Sequence, residues 1–323
     1  MAKILIDGIL TEKPKPKPGD GVFRRMSSGF RNRIEPQAEA EFPAEVGRYH
    51  LYVSMACPWS HRTTILRALK GLEKIITVTQ MLPMAGPDGW QIDAAAHDPT
   101  AGVPRDEYLY QVYQRADPSH TGPVTVPVLL DKKTCRIVSN DSGEIMRMLN
   151  SAFDELAGAT PDFYPPDLQQ DIDRISAEIY APVNNGVYRA GFATTQAAYD
   201  AAITDLFGKL EELDTLLGTR RYMTGERITE ADWRLFTTLV RFDPVYATHF
   251  KTDRKRIADY RNLGPYLRDL YQVPGVAATI EMEAIRQHYF LSHRHINPHG
   301  IISVGPHQDL SHPHGRGGAA YPA

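Results

Sequence analysis

Cys57 opens the run Cys57-Pro58-Trp59-Ser60, between a β-prone run from Tyr49 to Val53 and a stretch of helical periodicity from Pro58 to Gly71. That placement puts its sulfur at a helix N-terminus, where unpaired backbone N–H groups and the positive end of the helix dipole favour a thiolate. Pro58 suits the first helical turn, because the N–H it lacks has no partner there. Ser60 stands where a dithiol motif carries its second cysteine, so Cys57 must exchange with a thiol from outside the motif. Chemistry by one nucleophilic thiol is the expectation. The other cysteine, Cys135, falls in a predicted hairpin turn with no helix after it and reads as a bystander. Two cysteines cannot build the disulfide framework of a small secreted protein, and a reducing, cytoplasmic setting is expected.

Two further elements surround the thiol in this reading. Val126-Pro127 interrupts a β-run, and a cis bond there exposes the Val126 backbone N–H and C=O to an extended peptide ligand. Asp141-Ser142 begins a helix, where backbone N–H groups donate to a bound carboxylate and the Asp141 side chain can pair with an ammonium. A thiol, a docking strand and an α-amino-acid clamp together match the cysteinyl and γ-glutamyl parts of glutathione. Other chemistries fit poorly. Seven of the twelve histidines lie at 288, 293, 295, 299, 307, 312 and 314, but their spacing matches no helical metal site, and no metal is expected. His61 reads as a packing residue, and no Gly-x-Ser-x-Gly elbow follows a strand.

The elements that must position these groups fall into two halves. Tyr49–Val53, Pro58–Gly71 and Lys74–Thr79 form a predicted βαβ unit with parallel strands. An insertion of about 40 residues follows, longer than an ordinary connection. Val124–Leu130 and Cys135–Val138 read as a hairpin, and Asp141 with Glu144 as a capping-box variant opening a helix. This order is thioredoxin-like. From Phe153 the strand signals nearly vanish, and helical patterns cover 169–180, 196–217, 230–242, 263–271 and 276–290, with Thr229 and Asp232 as the clearest cap. The expected fold class is therefore α/β plus all-α. Expected boundaries are an extension over 1–45, whose Lys-Pro alternation favours polyproline II, a thioredoxin-like domain over 46–152, a helical domain over 165–296 and an irregular tail over 297–323. Thirty-six Lys and Arg against 39 Asp and Glu give a formal charge of −3, which excludes a basic field for nucleic acid or an anionic membrane. No apolar stretch approaches 18 residues, and the start is too weakly apolar for a signal peptide.

The chain resembles the Xi-class glutathione transferases, or glutathionyl-hydroquinone reductases. The resemblance rests on the runs 48–62, 125–129, 184–193 and 230–243, and on His288-Tyr289, Ser292-His293 and Ile296-Asn297-Pro298. It implies a thioredoxin-like domain followed by an all-helical glutathione-transferase C-terminal domain, glutathione as cosubstrate, glutathionyl-hydroquinones as substrates and a homodimer. Carried over by residue, Cys57 is the nucleophile. Trp90, Val126, Pro127, Asp141 and Ser142 are similar to the glutathione contacts, and Tyr188 and Tyr289 resemble the phenols that hold the hydroquinone hydroxyls. The chain departs from the family pattern at Pro123, where Arg is usual, with Arg115 the nearby cation that could compensate. It departs also at Asp141 (Glu in many relatives), Leu130 (usually Trp), Cys135 (often Gly) and Phe290 (often Tyr). Broader cysteine-type transferase or dehalogenase work and a non-catalytic aromatic-ligand module are the alternatives.

Overall fold

The computed structural model describes residues 3–12, 19–96, 98–158 and 160–317, so the polyproline reading of residues 13–18 lies outside the described residues. Two compact units make up the molecule. The first gathers the chain up to Lys15, Met26–Thr160 and Thr279–His288; the second gathers Pro16–Arg25, Pro161–Ala278 and Tyr289–Ala323.

The first unit begins with a hairpin, β1 (Lys3–Ile6) and β2 (Ile9–Glu12). Its central sheet holds β3 (Tyr49–Val53), β4 (Thr77–Gln80), β5 (Val128–Asp131) and β6 (Arg136–Ser139) in the order β4-β3-β5-β6. β3 pairs parallel with β4 and antiparallel with β5, and β5 pairs antiparallel with β6. With α1 (Pro58–Leu69), α2 (Leu109–Ala116), α3 (Ser142–Ser151) and the short α4 (Asp154–Ala157), this is the thioredoxin-like order. Every residue of β3 is buried, as a central strand covered on both faces requires.

Three expectations for this unit are corrected. Residues 1–45 are not merely an extension. Leu5 is fully buried in the core around Cys57, and its backbone pairs with Gly122 in both directions at 3.0 and 2.9 Å; Ile34 and Phe42 are buried as well. The sequence pattern hid this because a four-residue strand carries too little alternation to register. Residues 81–123 are not simply an insertion, since α2 lies within them and buries Leu109, Val112 and Tyr113 at helical spacing. The strand expected from Lys74 begins at Thr77, because the amides of Ile75 and Ile76 both donate to the Leu72 carbonyl and hold those residues in the turn after α1. The β5–β6 hairpin forms as expected. Cys135 in its turn has φ 58°, a left-handed conformation that explains why glycine serves well there.

The second unit is helical: α5 (Gln169–Ile179), α6 (Gly186–Gly191), α7 (Gln196–Leu217), α8 (Glu230–Arg241), α9 (Ala247–His249) and α10 (Leu263–Tyr271), with α11 (Met282–Ser292) running from the first unit into it. The helix expected from Val276 starts only at Met282, since Gly275 takes φ 91° and residues 277–279 form a separate 3-10 turn. The α8 capping box is present: the Thr229 amide donates to Asp232 Oδ2 at 2.8 Å, and Thr229 accepts in return. Asp232 is the polar centre of this unit, because its Oδ1 also accepts from the Met223 amide at 2.9 Å and the Tyr266 hydroxyl at 2.8 Å. Two π-helical turns, Tyr180–Asn184 and Phe242–Tyr246, continue α5 and α8. Each carries a proline at its third residue, and a widened turn accommodates the missing N–H and the ring. The described part of the tail, 297–317, contains no helix or strand, yet Arg316 Nη2 donates to the carbonyls of Leu217, Arg220 and Arg221 at 2.8–3.0 Å and fastens it.

Candidate active site

The strand-to-helix turn places Cys57 as the N-cap of α1 with Pro58 first in the helix; the thiol makes no capping hydrogen bond. Cys57 is 8% exposed, and its sulfur lies 3.8 Å from the Val126 carbonyl oxygen, to which the thiol donates weakly. Ser60 does the structural work that a second thiol would forfeit, its Oγ accepting from the Ser54 amide at 3.3 Å inside the turn. Val126-Pro127 is cis, as the interrupted β-run suggested. Asp141 caps α3, its Oδ1 accepting from the amides of Gly143 and Glu144 at 2.9 and 3.1 Å. The capping box expected with Glu144 does not close, because Glu144 turns away to an ion pair with Arg31 at 2.6 Å. Ser142 Oγ accepts a long 3.5 Å contact from Arg62, whose guanidinium also lies 4.3 Å above the Trp59 ring. Cys57, Val126, Pro127, Asp141 and Ser142 thus all belong to one unit, at the ends of neighbouring sheet elements. Trp90 joins the same unit by another route: its ring stacks on His288 at 4.9 Å and 17°, and His288 Nδ1 is 2.9 Å from the Pro83 carbonyl.

Sequence reasoning missed what holds the cis-proline strand. The Tyr113 hydroxyl donates to the Thr125 carbonyl at 2.9 Å and accepts from the Asn140 side chain at 3.1 Å, while Asn140 Oδ1 accepts from the Phe30 amide. This bracket ties α2, the strand end and the start of α3 together. Its one sequence signal is Tyr113 at helical spacing from Leu109, legible only once α2 is recognised. Arg115, the cation nearest in sequence to Pro123, is committed to Asp106 by two contacts of 2.8 and 2.6 Å.

In the second unit Tyr188 and Tyr289 meet hydroxyl to hydroxyl at 2.5 Å, and Tyr246, which sequence reasoning did not single out, adds a third phenol 3.0 Å from the Tyr289 oxygen. Burial, reinforced by the neighbouring Tyr188, pushes the hydroxyl pKa values of Tyr246 and Tyr289 well above the ordinary value, so these phenols stay protonated hydrogen-bonding groups at neutral pH. Phe250 stacks on Tyr246 at 5.4 Å, and a Cβ at Gly191 would stand 2.1 Å from the Phe250 ring. Gly191→Ala is therefore expected to displace Phe250 and to destabilise the protein by about 2 kcal/mol, as overpacking does, measurable as a lowered urea midpoint. Among the described residues no group of three or more His, Cys, Asp or Glu side chains gathers as a metal site, and no helix is long and apolar enough to cross a membrane.

Comparison with known proteins now adds to this geometry. Residues 56–152 match the glutathione S-transferase N-terminal domain and 196–269 the glutathione S-transferase C-terminal domain. The chain is 53% identical over 97% of its length to the glutathionyl-hydroquinone reductase YqjG of Escherichia coli, covering 98% of that protein. It is 47% identical over 95% of its length to the glutathionyl-hydroquinone reductase PcpF of Sphingobium chlorophenolicum, covering 97% of it. A Xi-class transferase structure from Natrialba magadii superposes with TM-score 0.91 at 47% identity, over 98% of this chain and 96% of that one. The chain belongs to the Xi-class glutathione transferases. The glutathione-bound structure of YqjG superposes with TM-score 0.86, over 97% of this chain and 98% of that one. The Xi-class assignment accounts for both halves of the architecture, a thioredoxin-like unit and a helical one.

Proposed function

We propose that this protein is a glutathione-dependent reductase of S-glutathionyl-hydroquinones. Support comes from the thiol at the α1 N-terminus beside the Val126 carbonyl, together with near-full-length identity to two proteins named for that activity. Glutathione is the cosubstrate. Val126 and Pro127 offer extended backbone to its cysteinyl part. Asp141 and Ser142 receive the α-amino and α-carboxylate groups of its γ-glutamyl part, and Trp90 borders the same ligand. Homodimeric assembly and a reducing cytoplasmic setting complete the reading, the first from the family resemblance and the second from cysteine usage.

The chemistry proceeds by exchange. The Cys57 thiolate attacks the sulfur of the conjugate, the carbon–sulfur bond breaks with its electron pair passing through the ring to the carbonyl oxygen of the keto tautomer, and that oxygen takes a proton to give free hydroquinone. Cys57 is left in a mixed disulfide with glutathione. A second glutathione thiolate attacks that disulfide, releasing glutathione disulfide and regenerating Cys57. Tyr188 and Tyr289 hydrogen-bond the ring oxygens and favour the keto tautomer, in which the ring carbon is already protonated.

Incubation with a panel of glutathionyl-hydroquinones and glutathione tests this reading. Chromatography should show hydroquinone and glutathione disulfide formed one to one with ping-pong kinetics, and mass spectrometry should show one glutathionyl group on Cys57 when the second thiol is withheld. Reduction of glutathione mixed disulfides with no hydroquinone released would make the protein a general thiol reductase instead. No adduct at Cys57 would favour a binding module.

A further inference from the structure

The segment Asp20–Arg25 packs within the second unit. The Thr194 amide donates to the Gly21 carbonyl at 3.1 Å, and Thr195 Oγ1 donates to the Asp20 carbonyl at 3.0 Å. Gly21 fits because it takes φ 77° and a Cβ there would stand 2.6 Å from Thr195. Asp20 is itself held by Arg24, and Phe23 sets its ring edge-on to Phe192 at 5.2 Å. These fastenings deliver Arg25. Its guanidinium carbon lies 4.8 Å from the centre of the Tyr188 ring, and Nε donates to Asn185 Oδ1 at 3.1 Å. Tyr188 is the most exposed of the three linked phenols, at 7% against 1% for Tyr289 and 0% for Tyr246. It is the end of the chain through which a ring oxygen is reached.

We propose that Arg25 is a positioning residue for the reductase reaction, acting through Tyr188. A cation over the ring face draws electron density from the phenol and strengthens its hydroxyl as a hydrogen-bond donor. The same contact fixes the ring while Tyr289 fixes the hydroxyl. Charged and titratable groups packed around the three phenols include Arg241, which lowers the hydroxyl pKa values of Tyr246 and Tyr289 against their burial, and the imidazoles of His293 and His249, which contact the Tyr289 ring. Arg25 is an exposed side chain whose removal opens no core cavity. The inference rests on the reading of Tyr188 as the phenol that holds a hydroquinone oxygen.

The test is a double-mutant cycle on the full-length protein, with Arg25→Ala, Arg25→Lys, Tyr188→Phe and Arg25→Ala/Tyr188→Phe, each assayed on glutathionyl-hydroquinone and on a glutathione mixed disulfide that has no aromatic ring. Arg25→Ala should lower kcat on the hydroquinone conjugate about fivefold with KM for glutathione unchanged. Arg25→Lys should recover most of it, and in the Tyr188→Phe background the same change should have no further effect. Disulfide reduction should be equal in Arg25→Ala, Arg25→Lys and the wild type, which also shows that the two Arg25 variants are folded. An Arg25→Ala loss that persists in full without the Tyr188 hydroxyl, or that appears equally on the ring-free disulfide, overturns the proposal. A wild type that reduces the disulfide but releases no hydroquinone overturns the underlying functional reading, and the proposal with it.

Discussion

Cys57→Ser is expected to reduce turnover to background, a loss of roughly 10⁴-fold, while leaving the protein at least as stable as before. A serine hydroxyl is not ionised at neutral pH, and it cannot form or release a mixed disulfide, so both half-reactions fail at the same atom. Stability moves the other way. Cys57 is an N-cap that makes no side-chain capping hydrogen bond, and serine is among the best residues at that position. The exchange of sulfur for oxygen should gain about 0.5–1 kcal/mol from the cap. Steady-state assay and thermal melting on one preparation check both halves. Turnover within tenfold of wild type would remove Cys57 from the mechanism, and a lowered Tm would show that the thiol has a packing role the N-cap geometry does not reveal.

Asp232→Ala is expected to be the most damaging single change to stability, at about 4 kcal/mol and about 10 °C in Tm. The carboxylate is fully buried and accepts from the amides of Met223 and Thr229 and from the Tyr266 hydroxyl, so its removal strands three buried donors as well as the α8 cap. Asp232→Asn separates charge from shape. Burial raises the Asp232 pKa to about 6, outweighing the donors that favour its charged form. A raised folded-state value means that the group contributes most below its unfolded value near 4 and loses that contribution as pH rises through about 6. The advantage of wild type over Asp232→Asn should therefore shrink by about 2 kcal/mol between pH 4 and pH 7. Urea midpoints of the two proteins at matched pH measure this directly, since the other carboxylates cancel in the difference. A gap independent of pH would mean that Asp232 stays charged throughout.

Part of this was legible in the sequence for physical reasons. Cys57-Pro58 declares a helix start because proline tolerates only the first turn. Val126-Pro127 declares a special bond because proline has no place in an ordinary strand interior. Thr229 and Asp232 declare a cap through their spacing, and the helices of the second half through their period. Site geometry was legible in pieces, and the pieces are local. What stayed hidden is made by residues distant in sequence. Leu5 pairs with Gly122 and Asn140 with Tyr113, and nothing in either member of such a pair forecasts the other. Tyr246 reads as one more core aromatic until its hydroxyl is seen 3.0 Å from that of Tyr289. Glu144 illustrates the opposite failure, a correct local pattern overruled by Arg31, a stronger partner more than a hundred residues away.

The division of α11 has a consequence for how the protein can be taken apart. Thr279 and His288 count with the first unit, where they meet His61 and Trp90, while Tyr289, the next residue, counts with the second. The segment ending at Arg25 is likewise an excursion into the second unit between two stretches of the first. No single cut in the polypeptide yields either unit whole. A fragment ending at residue 160 would keep Cys57 but lose the stacking partner of Trp90 and the hydroxyl beside His61. The two units are thus genetically inseparable, each being built from stretches of chain that interrupt the other.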